Sequence, residues 1–101
     1  MNIPKTIKVG GLQYKVRILD DGEFDGKTGG EISVDRGWIK LVKGDRQFME
    51  QTLIHELFHA INMEMSEETI EFLAQAIYQV VVDNPNIFSV NKSKGGEAKH
   101  G

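Results

Sequence analysis

The sequence predicts an α+β domain in which a small antiparallel β-sheet is followed by a two-helix hairpin. Three observations carry that expectation. Apolar and polar residues alternate with a period of two through the first forty residues, seven of the eleven glycines fall between positions 10 and 37, and the apolar spacing turns helical from about position 47. At 101 residues the chain has the size of one domain. Its 40% apolar and 27% charged content is that of a folded protein rather than a disordered one.

The strands come first. Thr6 to Val9 alternates, Gly10-Gly11 turns, and Leu12, Tyr14, Val16 and Ile18 share one face while Gln13, Lys15 and Arg17 share the other, which together read as a hairpin. Residues 20–30 (DDGEFDGKTGG) read as an acidic, glycine-rich loop with Phe24 as its one large apolar residue. Glu31 to Asp35 alternates around Ile32 and Val34, and a last strand runs from Trp38 to about Val42. Trp38 is expected in the core or as cover for a hairpin.

Two helices complete the domain. Phe48, Leu53, Ile54, Leu57, Phe58, Ala60 and Ile61 recur at helical spacing between about Gln47 and Met63, with Asp45 placed to cap the start. Ser66 is the next capping residue, and Glu67 and Glu68 follow where the positive end of a helix dipole favours acids. Ile70, Leu73, Ala74, Ile77, Tyr78 and Val81 form the stripe of the second helix. That helix stops at Asp83-Asn84-Pro85, because a proline disfavours helix at the residue before it. Residues 1–90 are expected to form the single domain and residues 91–101 (NKSKGGEAKHG) a flexible tail.

Composition narrows the chemistry. Twelve basic and fifteen acidic side chains give a net charge of −3, which argues against nucleic acid as a partner. No stretch is apolar enough for a signal peptide or a membrane span, so a cytoplasmic protein is expected, with no membrane partner. The absence of cysteine removes thiolate metal sites, disulfides and cysteine nucleophiles. A metal, if bound, is held by His, Asp or Glu.

Inside the first helix His55-Glu56-Leu57-Phe58-His59 forms an H-E-x-x-H pattern. Residues four apart on a helix lie about 40° apart around the axis and about 6 Å along it. His55 and His59 can therefore aim both imidazoles at one tetrahedral Zn²⁺, while Glu56, turned by about 100° from His55, can act as general base on a water there. The third ligand follows by elimination. Asn62 and Met65 stand where an extended pattern would need glycine and histidine, and the only other histidine, His100, lies in the tail. A carboxylate from the second helix remains. Helix phase leaves Glu67 or Glu71, with Glu67 nearer His59 and Glu71 nearer His55, where it could accept from an imidazole N–H. Glu68 points elsewhere. Tyr78 on the inward stripe is a candidate oxyanion donor, the alternative being packing with its hydroxyl satisfied.

Residues 6–90 resemble small phage- and prophage-type zinc metallopeptidases of the gluzincin kind, related to the ImmA/IrrE-type peptidases. The matching pieces are the strand EISVD, the segment TLIHELFHAI, and EETIEFLAQAIYQVVVDNP. The resemblance implies Glu67 as the third zinc ligand and Glu71 as the acid that supports a histidine. It also implies peptide-bond hydrolysis, with Glu56 moving the proton, in the cytoplasm of a bacterium or a phage-infected cell. An extended substrate would add to the edge of the strand at Ile32–Val34. A different class of function is a catalytically silent, zinc-stabilised module that binds another protein. The partner is then a polypeptide in either case.

Overall fold

The computed structural model describes residues 2–23 and 29–87. The expected tail, the domain limit at residue 90 and Phe24 lie outside the described residues. The chain is α+β, as the periodicity predicts. The strands are β1 (Thr6–Val9), β2 (Leu12–Leu19), β3 (Gly30–Ser33) and β4 (Trp38–Val42), with a 3₁₀ turn at Asp21–Glu23; the helices are α1 (Arg46–Ile61) and α2 (Glu67–Asp83).

The sheet has the order β1-β2-β4-β3 and is mixed, which corrects the expectation of an antiparallel sheet. β1 and β2 pair antiparallel across Gly10 and Gly11, whose φ values of 59° and 86° give the two left-handed positions of a tight hairpin turn. β3 and β4 also pair antiparallel, through a turn in which Gly37 has φ 71°. β4, however, lies parallel to β2, with Val16 beside Ile39 and Ile18 beside Leu41. The chain leaving β2 passes to the far edge before β3 begins, so the β3–β4 hairpin returns with β4 against β2. Alternation along a strand reports which face is buried, not which way the neighbour runs, so this crossover is not legible in the pattern.

The molecule has three layers: sheet, α1, α2. α1 lies on the sheet against β3, β4 and β1, and α2 packs on α1. Leu53 turns toward the sheet and is buried with Tyr14, Ile39 and Leu41, and Leu57 and Ala60 pack beside them. Its neighbour Ile54 turns the other way, against Ala74, Tyr78 and Phe58. Leu12 and Ile18 share the inward face of β2 but stay half exposed at its two ends. Trp38 lies half-buried on the opposite face of the sheet, with the Lys40 ammonium 4.1 Å above its ring.

Both helices start at the expected caps. Asp45 accepts from the Phe48 N–H at 2.8 Å, and Ser66 accepts from the Thr69 N–H at 3.1 Å. Among the described residues no helix is long and apolar enough to cross a membrane.

Gly30 lets β3 approach α1 closely. A Cβ at Gly30 would stand 2.6 Å from the Thr52 methyl, 3.2 Å from the Lys40 carbonyl oxygen and 3.3 Å from the Glu56 carboxylate. Gly30→Ala is therefore expected to destabilise the protein by about 1–3 kcal/mol, the usual range for overpacking. Gly22→Ala, where a Cβ meets nothing within 4 Å, should stay within about 0.5 kcal/mol. Denaturant midpoints of the two variants check the pair.

Candidate metal centre

α1 is sandwiched, so its rotation about its own axis is fixed from both sides, and this presents His55 and His59 together along one flank. Their ring centroids lie 5.0 Å apart with planes at 60°. Both side chains are mostly enclosed, at 16% and 14% exposure. The chain leaves α1 at Asn62 and reverses tightly: the Met65 N–H donates to the Asn62 carbonyl and the Glu64 N–H to the Asn62 side chain. The Ser66 cap then makes Glu67 the first residue of α2, directly beside the last turns of α1.

The result is a compact donor group. Glu67 Oε1 lies 3.0 Å from His55 Nε2, and Glu67 Oε2 lies 2.9 Å from His59 Nε2. On the other side of the first ring, Glu71 Oε1 lies 3.0 Å from His55 Nδ1. One donor atom each from His55, His59 and Glu67 falls within 4.8 Å of the others, so the group can hold a metal ion. The His55 Nε2–Glu67 contact is a hydrogen bond when the ring carries its proton at Nε2; with the proton at Nδ1, beside Glu71, Nε2 would instead present a lone pair that a cation could take. Three donors around a tetrahedral Zn²⁺ at 2.0–2.1 Å would be about 3.3 Å apart, against 3.0 and 2.9 Å for the Glu67 contacts and at most 4.8 Å within the group.

Glu56 forms the wall of the same cleft. It is buried at 5% exposure, yet no hydrogen bond joins its carboxylate to another described residue. Buried acids are normally hydrogen-bonded, so Glu56 differs from the buried Glu50 in this respect. Burial pushes its pKa up from 4.5 to about 7; the His55 imidazole pulls it down, and Glu67 and Glu31 raise it further.

The remaining sequence candidates separate cleanly. Glu68 is exposed and lies outside the donor group. Tyr78 does not join the site: its hydroxyl donates to Glu50 Oε1 at 2.9 Å, which is the second of the two roles expected for it. The same Glu50 carboxylate accepts from Arg46 Nε at 2.9 Å, and Arg46 Nη2 donates to Asn2 Oδ1 at 3.1 Å. Sequence reasoning passed over Glu50. The available signal was its phase, since it stands three residues before inward-facing Leu53, with Arg46 one turn earlier to pair with it. It also read Gly29 and Gly30 as loop, although Gly30 opens β3 and both line the cleft with Phe48 and Thr52.

The raised Glu56 pKa has a signed consequence for the metal-free protein. A carboxyl whose folded pKa lies above its unfolded value contributes most stability below pH 4.5 and loses it as pH rises through about 7. Glu56→Gln removes that dependence. In chelator, the variant should gain on the wild type between those pH values, by on the order of 3 kcal/mol at pH 8, with the two converging below pH 4.5. Urea titrations of both proteins across this range test it.

No protein-family model matches the chain, and neither the curated proteins nor the solved structures compared with it include a match, so what this centre does has to be argued from its own residues.

Proposed function

We propose that the protein is a zinc-dependent peptidase, with His55, His59 and Glu67 as the metal ligands and Glu56 as the general base. The observation that carries this reading is the buried Glu56 carboxylate, without a hydrogen-bond partner among the described residues, next to a His/His/Glu group able to hold a cation. A structural metal site has no use for such an acid; hydrolysis needs one. A Zn²⁺ held there would supply a Lewis acid that acidifies water and polarises a scissile carbonyl.

The chain's own groups do the rest. Glu56 takes a proton from the attacking water as the new C–O bond forms. It passes that proton to the departing amine nitrogen as the C–N bond breaks. A base with a pKa near 7 suits both transfers, and a bound cation would lower that value somewhat. Glu71 Oε1, 3.0 Å from His55 Nδ1, is placed to favour the tautomer protonated at Nδ1, which would leave Nε2 to coordinate. β3 is an edge strand whose Gly30, Glu31 and Ile32 line the cleft, so an extended polypeptide could be bound along it. Val34 falls beyond the strand, which moves this edge slightly toward Gly30 from the stretch marked out by sequence. The likeness of TLIHELFHAI and the Glu67–Glu71 spacing to phage-type gluzincins supports the same reading, and with it a cytoplasmic polypeptide substrate.

One observation favours a second reading. The donors come from two helices, and α2 packs mainly on α1, so a cation would also clamp the outer layer to the molecule. On that reading the chain is a zinc-stabilised interaction module and Glu56 is dispensable. Glu56→Gln separates the two: the variant should keep a full complement of zinc and lose cleavage of an unstructured polypeptide by at least about 100-fold. Retained cleavage would remove Glu56 from the mechanism; no cleavage by zinc-loaded wild type would leave the module.

The ligand assignment makes its own prediction. Glu67→Ala should abolish stoichiometric zinc, and Glu71→Ala should weaken it by about 10–100-fold, the usual effect of removing a ligand's orienting partner. Metal analysis after dialysis against graded chelator measures both, and the opposite order would exchange the two roles.

A further inference from the structure

α1 covers one face of the sheet, where Tyr14, Ile39 and Leu41 are buried, and neither helix packs on the other. The strand residues that alternate with this core stand on that other face. Cations collect there on three adjacent strands: Lys8 on β1, Lys15 and Arg17 on β2, and Lys40 on β4. Glu31, opposite Lys40 on the edge strand β3, is the one acid among the strand residues of this face. A chain with a net charge of −3 thus carries a positive sheet face.

The fold leaves these charges uncompensated. No ion pair joins any of the four cations to a described residue. Arg17 and Lys40 are direct partners in the β2–β4 register, on strands about 4.8 Å apart, where like charges repel. Lys40 sends its ammonium 4.1 Å above the Trp38 ring rather than to Glu31. Trp38 is the one aromatic residue among the strand positions of the face and lies directly beside Lys15. Lys8 pairs with Gln13, so Lys8, Lys15 and Arg17 mark three successive rows of the sheet. Rows repeat about every 7 Å along a strand, so the three span about 14 Å.

We propose that this face docks an extended acidic segment of a polypeptide, whose alternate Asp or Glu side chains meet Lys8, Lys15 and the Arg17–Lys40 pair in turn, with Trp38 as apolar contact between them. An extended chain presents every second side chain at the repeat of the rows, so charge and spacing match together. Nucleic acid fits less well. Its phosphates run on past 14 Å onto a molecule whose net charge repels them, and the Lys40 ammonium already occupies the ring on which a base would stack. The face lies across the sheet from α1 and its histidines, so the inference goes beyond the reading of the metal centre and holds whether that centre is catalytic or structural.

Binding to the full-length, zinc-loaded Glu56→Gln protein tests the face with probes that stay uncleaved. The probes are a rhodamine-labelled peptide of about ten residues alternating glutamate with serine, its glutamine counterpart, and a labelled oligothymidylate of about ten nucleotides. By anisotropy the glutamate peptide should bind about tenfold more tightly than either of the others. Trp38 is the only tryptophan of the chain, and its emission should change over the same concentration range when the peptide is unlabelled. Lys15→Gln and Arg17→Gln should each weaken the glutamate peptide about threefold, and Glu31→Gln should tighten it. Asp83→Asn, an equal charge change at the end of α2, should do neither. Equal binding of the two peptides, an unchanged Trp38 emission, indifference to Lys15→Gln and Arg17→Gln, or an Asp83→Asn effect equal to that of Glu31→Gln would overturn the docking face. Tighter binding of the oligothymidylate than of the glutamate peptide would overturn the polypeptide as its occupant.

Discussion

The burial of α1 on two opposite sides is the constraint on which the rest of the molecule depends. Leu53 is held by the sheet and Ile54, about 100° further round the axis, by α2, and contacts on both faces leave the helix little freedom to rotate. Once that phase is set, His55, Glu56 and His59 have one possible placement, on the flank that opens toward the edge of β3. The histidine rings are held in addition by Glu67, which contacts both, and by Glu71 at His55. A site with demanding geometry needs such support.

Backbone economy at two points completes the arrangement. The tight reversal at Asn62 and the Ser66 cap bring the first turn of α2 against the last turns of α1, so Glu67 meets both imidazoles and Glu71 meets the outer nitrogen of His55. On the opposite wall Gly30 allows β3 to come within contact of Thr52 and Glu56. A larger residue there would push the strand away and open the cleft. The buried Tyr78–Glu50–Arg46 network lies on another side of α1, joining α2 to α1 and, through Asn2, to the N-terminal segment. Its acid is satisfied, whereas Glu56 has no hydrogen-bond partner among the described residues. The contrast between two buried glutamates on one helix separates a structural acid from a candidate catalytic one.

The electrostatic character of the cleft follows from the same layout. β3, the start of α1 and the start of α2 all converge on it. Acids at the last two are where capping and the helix dipole favour them. Local rules for starting a helix thus put an acid towards each end of α1, Asp45 at its start and Glu67 beside its last turns.

Much of this was legible in the sequence because it depends on local periodicity. The caps at Asp45 and Ser66, the two helices, the inward stripes and the four-residue spacing of His55 and His59 each involve neighbours within one or two turns, so the order of residues alone determined them. The parallel pairing of β2 with β4 was not legible, because a half-buried strand alternates identically beside either kind of neighbour. Helix phase could limit the third donor to Glu67 or Glu71 but could not choose, since the choice depends on how tightly the chain turns at Asn62. Only the tertiary structure decided that Glu67 faces both imidazoles, that Tyr78 serves Glu50, and that Glu56 is buried with no hydrogen-bond partner among the described residues. Each of these is a meeting of side chains far apart in the chain, and their distances depend on packing that no local pattern encodes.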